Sequence, residues 1–414
     1  MMLLKRVVRT ETMRIPLSDP LSSMCHVSKN LYNTTNYMMR QEFFHEKRVK
    51  TTNYDMNHAL KDDLNFMVLP SQTAQQTIGM VYRNWKSFFR SLKEYRKVPS
   101  KFTGRPKIPK YLKKNGEYLL LFSNQQCRIT RSGILKFPKK MSLEIRTRFD
   151  HTLDLREVRI IPRGVGYDIQ IIYRKEVYVD EKENMNPKRI MGIDIGVRNL
   201  VTIANNFSEQ GIAVRAGPLR SMNARFNMIV SSLMSVYDRQ DDERNSEMKL
   251  KRITDSRNFW MKDMMHKIST WIVNYMSSLN VYAVAIGRNP GWKQNVRMGK
   301  RNNRIFVQIP FATLISQIQY KAEEKGIAVI LTEEDHTSKC SFLDTEEIRH
   351  HAEYKGKRVS RGIFRSSNGT LINADLNAAY KIIKRVFPDA FADGIRGAGL
   401  HPVGLSMKDM INPQ

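Results

Sequence analysis

The chain has 414 residues, 41% of them apolar, and its 69 lysines and arginines outnumber 40 acids to give a net charge of +29. That length exceeds one ordinary core and predicts about two to four domains, while the apolar and aromatic content excludes a mainly disordered chain. Self-repulsion on this scale calls for a polyanionic partner: nucleic acid first, because neutralised phosphates release counterions, and an anionic membrane surface second.

A membrane is the weaker reading, because no segment approaches the roughly 20 continuous apolar residues of a spanning helix; "WIVNYM" and "VYAVAI" are too short. The start, "MMLLKRVVRTETMRI", has no long apolar h-region or small-residue cleavage site, so secretion is not expected. Cys25, Cys127 and Cys340 are far apart, which argues against a disulfide framework and for a reducing, cytoplasmic compartment.

Residues 1–15 alternate apolar and basic residues and predict a strand with one wet face. Residues 16–97 read mainly as helices. The stretch "LPSQTAQQTIGMVYRNWKSFFRSLKEY" has Ser71 at a plausible N-cap and Ile78, Tyr82, Trp85, Phe88, Phe89 and Leu92 at helical spacing, a stripe that reads as helix core. Residues 98–148 hold thirteen lysines and arginines against two glutamates, broken by Pro, Gly and Asn. They predict a small β-barrel with charged loops. Phe102, Tyr111, Tyr118, Phe122 and Phe137, interleaved with that charge, suit a nucleic-acid groove. "REVRIIPRGVGYDIQIIYRKEVYV" predicts two strands joined by a Gly-containing turn, and "DEKENMNPK" a polar linker.

From residue 189 strands alternate with helices, which predicts an α/β domain with a mixed central sheet. "RIMGIDIGVRNLVTIANN" reads as strand, turn, strand; residues 219–240 and about 249–279 as long helices; "VYAVAI" as a buried strand. "FATLISQIQYKAEEKG" is a helix stopped by Gly326, "IAVILTEED" a further strand, and "INADLNAAYKIIKRVF" an acidic turn opening a helix. The Gly-rich tail after Pro388 is expected to be loosely ordered.

The chemistry is carried by carboxylates. Asp194 lies between Ile193 and Ile195 with glycines on both sides, either as a turn residue closing a hairpin or as a metal ligand. An acid at the apolar end of a strand is costly to desolvate unless a cation or hydrogen bonds compensate. Asp375 in "INADLNAAY" is either the N-cap of the following helix or a second ligand. Carboxylates shared by two metals are a standard route to phosphodiester cleavage. A third acid belongs on a strand reaching the same end of the sheet. "VYAVAI" reaches it but ends in Gly287, whereas "IAVILTEED" ends in Glu333, Glu334 and Asp335. Both faces of that strand are apolar, so alternation alone does not choose between Glu333 and Glu334.

In this order, "GIDIGVRNL", "AIGRNPGWKQN…RNNRIFVQIPF", "EEDHTSKCSFLD" and "GKRVSRGIFRSSNGTLINADLNAAY" resemble the transposon-encoded TnpB (OrfB) family, relatives of type V CRISPR effectors. The resemblance covers residues 190–388 strongly and the N-terminal half in layout. It implies an α/β multidomain protein: an RNase H-like RuvC domain (189–335 and 371–388), an N-terminal wedge β-barrel (1–15 and 98–183) and an inserted helical recognition lobe (16–97). A nucleic-acid-binding insertion, often a zinc ribbon, would occupy 336–370, and a tail 389–414. The implied activity is RNA-guided cleavage of double-stranded DNA beside a transposon-adjacent motif, with Mg²⁺ or Mn²⁺ and a guide RNA from the transposon end, in a monomeric ribonucleoprotein associated with the nucleoid of a prokaryote.

Carried over residue by residue, Asp194 matches the first RuvC acid and Asp375 the third. The usual second acid falls at Gly287; the sequence resembles a branch that supplies it from the next strand, at Glu334, with Glu333 the alternative. Family layout places Gln75 and Gln76 against the adjacent-motif duplex, where an amide fits adenine, with Tyr54 and Asn57 as further candidates. Arg288, Lys293 and Arg297, in the basic turn after Gly287, are expected to face nucleic acid. A zinc ribbon needs four ligands; residues 336–370 offer Cys340, His336, His350 and His351 without paired spacing, so no structural zinc is expected. Two rivals share the charge: a nuclease-dead RNA-guided DNA-binding regulator, favoured by Gly287, and a DNA-binding accessory of transposition without a guide.

Overall fold

The computed structural model describes residues 2–47, 49–180, 186–207, 210–237, 243–288, 299–333, 339–360, 362–392 and 399–411. The chain divides into an N-terminal unit, Arg6–Glu176, and a C-terminal unit, Met1–Lys5 with Val177–Gln414.

Strand β1 (Met2–Pro16), which enters the N-terminal unit at Arg6, is followed by helices α1 (Asp19–Glu46), α2 (Asn53–Leu60), α3 (Leu64–Val68) and α4 (Ser71–Lys97). The aromatic stripe on α4 is helix core, as its spacing predicts: Ile78, Trp85 and Phe88 are buried, and Phe43 of α1 packs against the rings of Trp85, Phe88 and Phe89. The Trp85 indole donates to Asn36 Oδ1 at 2.9 Å, so its one polar atom is satisfied inside that core. The cap of α4 is Pro70 rather than Ser71: Ala74 N donates to the Pro70 carbonyl, and Ser71 is the first helical residue.

Strands β2 (Leu120–Ser123), β3 (Arg128–Ile129), β4 (Ile134–Lys136), β5 (Glu144–Arg146), β6 (Asp154–Arg163) and β7 (Gly166–Asp180) follow. Among the described residues they pair as two sheets, β1-β7-β6-β2 and β3-β4-β5. The predicted hairpin is β6–β7, closed at Arg163↔Gly166. Phe122 is fully buried in the sheet and belongs to the core, whereas Tyr111 is exposed with the Arg40 guanidinium 4.8 Å from its ring centroid.

The C-terminal unit is built on a mixed sheet. Its elements are β8 (Asn186–Ile195), β9 (Asn199–Asn205), β10 (Ile212–Arg215), α5 (Gly217–Tyr237), α6 (Glu243–Ser278), β11 (Val281–Gly287), α7 (Lys300–Val307), α8 (Phe311–Glu324), β12 (Ala328–Thr332), β13 (Lys357–Ser360), β14 (Ile363–Arg365), β15 (Leu371–Asn373), α9 (Ala374–Val386), β16 (Val403–Leu405) and α10 (Met407–Ile411). Among the described residues the sheet order is β12-β11-β8-β9-β10-β16, with β8, β11 and β12 parallel and β9 antiparallel to β8. Gly326, at φ +75°, follows α8 as predicted.

Two stretches differ from expectation. Asn186–Lys188, read as linker, open β8, because Asn186 pairs with Val281 and tertiary pairing outweighs polar composition. The tail after Pro388 is ordered where described: β16 adds to the sheet beside β10, and Met407 and Met410 of α10 are buried against the core. No helix among the described residues is long and apolar enough to cross a membrane.

Candidate active site at the end of the mixed sheet

Each strand of a buried parallel sheet presents alternate residues to opposite faces. On β8, Met191, Ile193 and Ile195 enter the core with Met265 and Ile268 of α6 and Leu314 of α8. Ile190, Gly192 and Asp194 therefore face the other side, where Ile190 packs in the cluster containing Leu376, Ala379, Tyr380 and Ile383 of α9. Gly192 explains how closely the helix lies: a Cβ there would stand 2.4 Å from the Ala379 carbonyl oxygen and 2.6 Å from Ile383 Cγ1.

Asp194 is half-buried, the second residue beyond that close approach, about 6.7 Å further along the strand. It is a strand residue paired with Thr202, not a residue of the turn at 196–198. Asp375 lies one helical turn before Ala379, about 5.4 Å nearer the start of α9. It is not the cap of that helix. Asn373 is, accepting from Asp375 N at 3.0 Å and Leu376 N at 3.1 Å, which leaves the Asp375 carboxylate available to other groups. Its Oδ2 accepts from Asn199 Nδ2 at 2.9 Å, and its Oδ1 lies 3.7 Å from Arg358 Nη2 on β13. Asn199 opens β9, immediately after the turn that follows Asp194, so both acids stand at the same end of the sheet.

Register extends that end across two more strands. Ile286 pairs with Ile193, which carries Gly287 to the level and face of Asp194. Gly287 pairs in turn with Thr332, and Arg288 N donates to the Thr332 carbonyl at 2.7 Å. Glu333 follows and is exposed; Glu334, with Asp335 and His336, lies outside the described residues. Among the described residues no three of His, Cys, Asp or Glu gather as a metal-sized cluster.

The polar surroundings suit a hydrated cation. Thr202, cross-strand from Asp194, has a buried hydroxyl with no hydrogen-bond partner among the described residues. A hard ion bound through one or two carboxylates keeps several waters, which supply the partners such a group needs. Sequence reasoning did not single out Asn199, Thr202, Arg358 or Asn373. The signal for Asn373 was present, since asparagine two residues before an aspartate at a helix start is as good a cap as the aspartate itself.

Of the residues predicted to meet nucleic acid, Tyr54 on α2 is exposed, and Asn57 is half-buried with its Nδ2 donating to the Asn53 carbonyl. On α4, Gln75 is exposed and Gln76 half-buried. Arg288 is exposed, while Lys293 and Arg297 lie outside the described residues.

Two family models match the chain: "Probable transposase" (OrfB_IS605) over residues 170–292, and "Cas12f1-like, TNB domain" over residues 311–382. The TnpB-like protein ORF457 of Acidianus two-tailed virus is 24% identical over 401 residues, 88% of this chain and 83% of the viral one. The chain is a relative of the TnpB family and of type V effectors. The CRISPR-associated endodeoxyribonuclease Cas12f2 of a Micrarchaeota archaeon (strain CG1_02_47_40) is 26% identical over 233 residues, 53% of this chain and 40% of that protein. The fold likeness extends to a solved Cas12f1–sgRNA–target DNA complex, at a TM-score of 0.52 with 14% identity, covering 89% of this chain and 83% of the Cas12f1 chain. The TnpB-type match contains Asp194, and the Cas12f-type match contains Glu333, Glu334 and Asp375.

Proposed function

We propose that this TnpB relative is an RNA-guided endonuclease of an insertion sequence, cutting double-stranded DNA beside a short transposon-adjacent motif. The observation that carries the reading is the convergence of Asp194 and Asp375 on one end of a mixed sheet, beside a strand that ends without a side chain at Gly287. The relatives named TnpB-like and endodeoxyribonuclease, and the Cas12f1 fold, support it. The net charge of +29 supports RNA and DNA partners; a monomeric ribonucleoprotein at the nucleoid is what the family resemblance implies.

Asp194, Asp375 and Glu334 would hold Mg²⁺ or Mn²⁺. Such ions, when bound, activate a water and stabilise the leaving oxygen of a phosphodiester. Glu334 is the residue that the family match supplies, with Glu333 the alternative. Thr332 shares the face of Gly287 and Asp194, which brings the end of β12 to the level of the two acids. Two strand spacings, about 9.5 Å, separate β12 from β8. A glutamate has the reach an aspartate lacks, and Gly287 leaves the space between them open. Asn199 orients the Asp375 carboxylate through its 2.9 Å bond. Gln75 and Gln76, with Tyr54 and Asn57, are assigned to the adjacent motif, and Arg288, Lys293 and Arg297 to the phosphate backbone.

The second reading, a nuclease-dead RNA-guided regulator, is favoured by the missing acid at Gly287. One experiment separates them. The complex is purified from cells with its RNA, reprogrammed to a plasmid target, and assayed with Mg²⁺ as wild type and as Glu334→Ala. The endonuclease reading expects wild-type cleavage, loss of cleavage in the variant, and guide-dependent target binding by both. Guide-dependent binding without wild-type cleavage establishes the regulator. Absence of a defined RNA establishes a guide-free DNA-binding protein, and full cleavage by the variant removes Glu334 from the site.

A further inference from the structure

Among the described residues, the segment between β12 and α9 carries three strands of three or four residues each. So short a piece buries too little apolar surface to order itself and is ordinarily stapled by a metal or a disulfide. The family resemblance implies zinc, which takes four thiolate or imidazole ligands in a tetrahedron. The donors present do not fit. Cys340 is the one thiol of the segment, and its Sγ lies 3.6 Å from the Arg349 carbonyl. The His351 ring is bonded to the Glu347 carbonyl at 2.8 Å and, with His350, packs edge-on to Tyr354. His336 lies outside the described residues.

A different cluster gathers the same loops. Lys381, on the second turn of α9 after Asp375, is 0% exposed and donates to the backbone carbonyl of Glu346. The Glu346 carboxylate, itself 3% exposed, accepts from Ser341 N at 2.7 Å and Lys355 N at 2.9 Å, joining two loops nine or more residues apart. Asn377, one turn before Lys381, accepts from Phe342 N at 2.9 Å and donates to the Cys340 carbonyl at 3.0 Å. Phe342 then stacks on Tyr380, with centroids 4.6 Å apart and planes 12° from parallel.

We propose that Lys381, Glu346 and Asn377 replace the structural zinc: a metal-free polar hub pins the insertion onto α9, the helix that carries Asp375. A buried charge persists only where partners compensate its desolvation, and here donor and acceptor side chains each organise backbone groups, as a metal and its ligands would. Burial pushes the Lys381 ammonium down to about 8, with Lys384 acting the same way and Cys340, Glu346 and Asp344 opposing, so it remains mostly charged at neutral pH. The inference does not depend on the nuclease reading.

The test uses the full purified ribonucleoprotein. Its zinc content is measured, and backbone hydrogen exchange is followed with and without a strong zinc chelator, in wild type, Lys381→Met and Glu346→Gln. The hub expects no stoichiometric zinc and no effect of the chelator. It expects exchange at Ser341, Phe342 and Lys355 to quicken about tenfold or more in both variants, while Met191 and Val284 in the sheet keep their protection. One zinc per chain whose removal quickens those same amides overturns the proposal. So does unchanged exchange in Glu346→Gln, which stands as the test if Lys381→Met fails to fold.

Discussion

Asp375, at the start of α9, and Asn377 and Lys381, further along the same helix, carry polar groups in opposite ways. Asp375 is half-buried; its oxygens offer about four lone-pair sites, of which Asn199 and the more distant Arg358 take up part. Asn377 and Lys381 are fully enclosed and bonded to the chain around them. The difference separates two uses of buried polarity on one helix. A carboxylate with coordination left over, at the open end of a sheet, suits a ligand and chemistry. An enclosed donor that meets backbone carbonyls suits architecture. Substitutions at the two ends should accordingly fail in different assays.

The largest effect is expected at the open end. Asp375→Asn should lower Mg²⁺-dependent plasmid cleavage by on the order of a thousandfold, the scale of losing a group that stabilises transition-state charge. Guide-dependent target binding and the unfolding midpoint should stay near wild type. Asn199→Ala touches only the orientation of Asp375 and should cost about 10–100-fold, as loss of a partner behind a ligand does. If both substitutions moved stability and spared cleavage, the contrast between Asp375 and the enclosed pair Asn377 and Lys381 would collapse.

At the enclosed end the order reverses. Asn377→Ala orphans Phe342 N and the Cys340 carbonyl, both buried, and each such group costs about 1–3 kcal/mol. Urea unfolding should show a destabilisation of about 2–6 kcal/mol on that scale. Between the two ends stands Gly192, where the helix touches the strand. Gly192→Ala places a methyl 2.4 Å from a backbone oxygen, which cannot rotate away as a side-chain tip can. Overpacking of that kind costs about 1–3 kcal/mol, read as a lower urea midpoint; a wild-type midpoint would mean that α9 does not lie on β8 as described.

These positions also show what was legible in the sequence. β8, β11 and α9 were readable because their apolar residues recur at periods of two and 3.6 over runs long enough to exclude the alternatives. Asp194 and Asp375 stood out as acids in apolar surroundings. The identity of the helix cap did not, because Asn373 and Asp375 are both good caps two residues apart and only the backbone turn decides between them. Local pattern left Glu333 and Glu334 open because both faces of their strand are apolar, and the register Gly287↔Thr332 that sets the level of that strand's end is a long-range fact absent from any local pattern. The tail was misread because β16 contributes only three residues, and its order comes from β10 and from a core that Met407 and Met410 enter from far along the chain. The hub was invisible for the same reason: Lys381 in "AAYKIIKRV" looks like a solvated lysine until Glu346 is brought over it.

The smallest expected effect distinguishes the enclosed end by pH. Burial lowers Lys381 to about 8 in the folded chain, against an ordinary value of about 10.5 for the exposed side chain. Between those values the unfolded state binds more protons than the folded one, so stability contributed through Lys381 rises as pH rises through that window. The bond to the Glu346 carbonyl survives, because a neutral amine still donates. Buried thiols act the other way: burial raises Cys127 from 9.0 to about 12, so the unfolded state loses that proton first and stability falls above pH 9. The clean measurement is therefore a difference. The gap in urea midpoint between wild type and Lys381→Met should widen from pH 7.5 to pH 9.5: Cys25 and Cys127 are common to both proteins and cancel, while Cys340, which the Lys381 charge holds down, rises further in the variant and costs it stability in the same direction. A gap that narrows would mean that the ammonium is favoured inside the fold, and that its partners outweigh its desolvation.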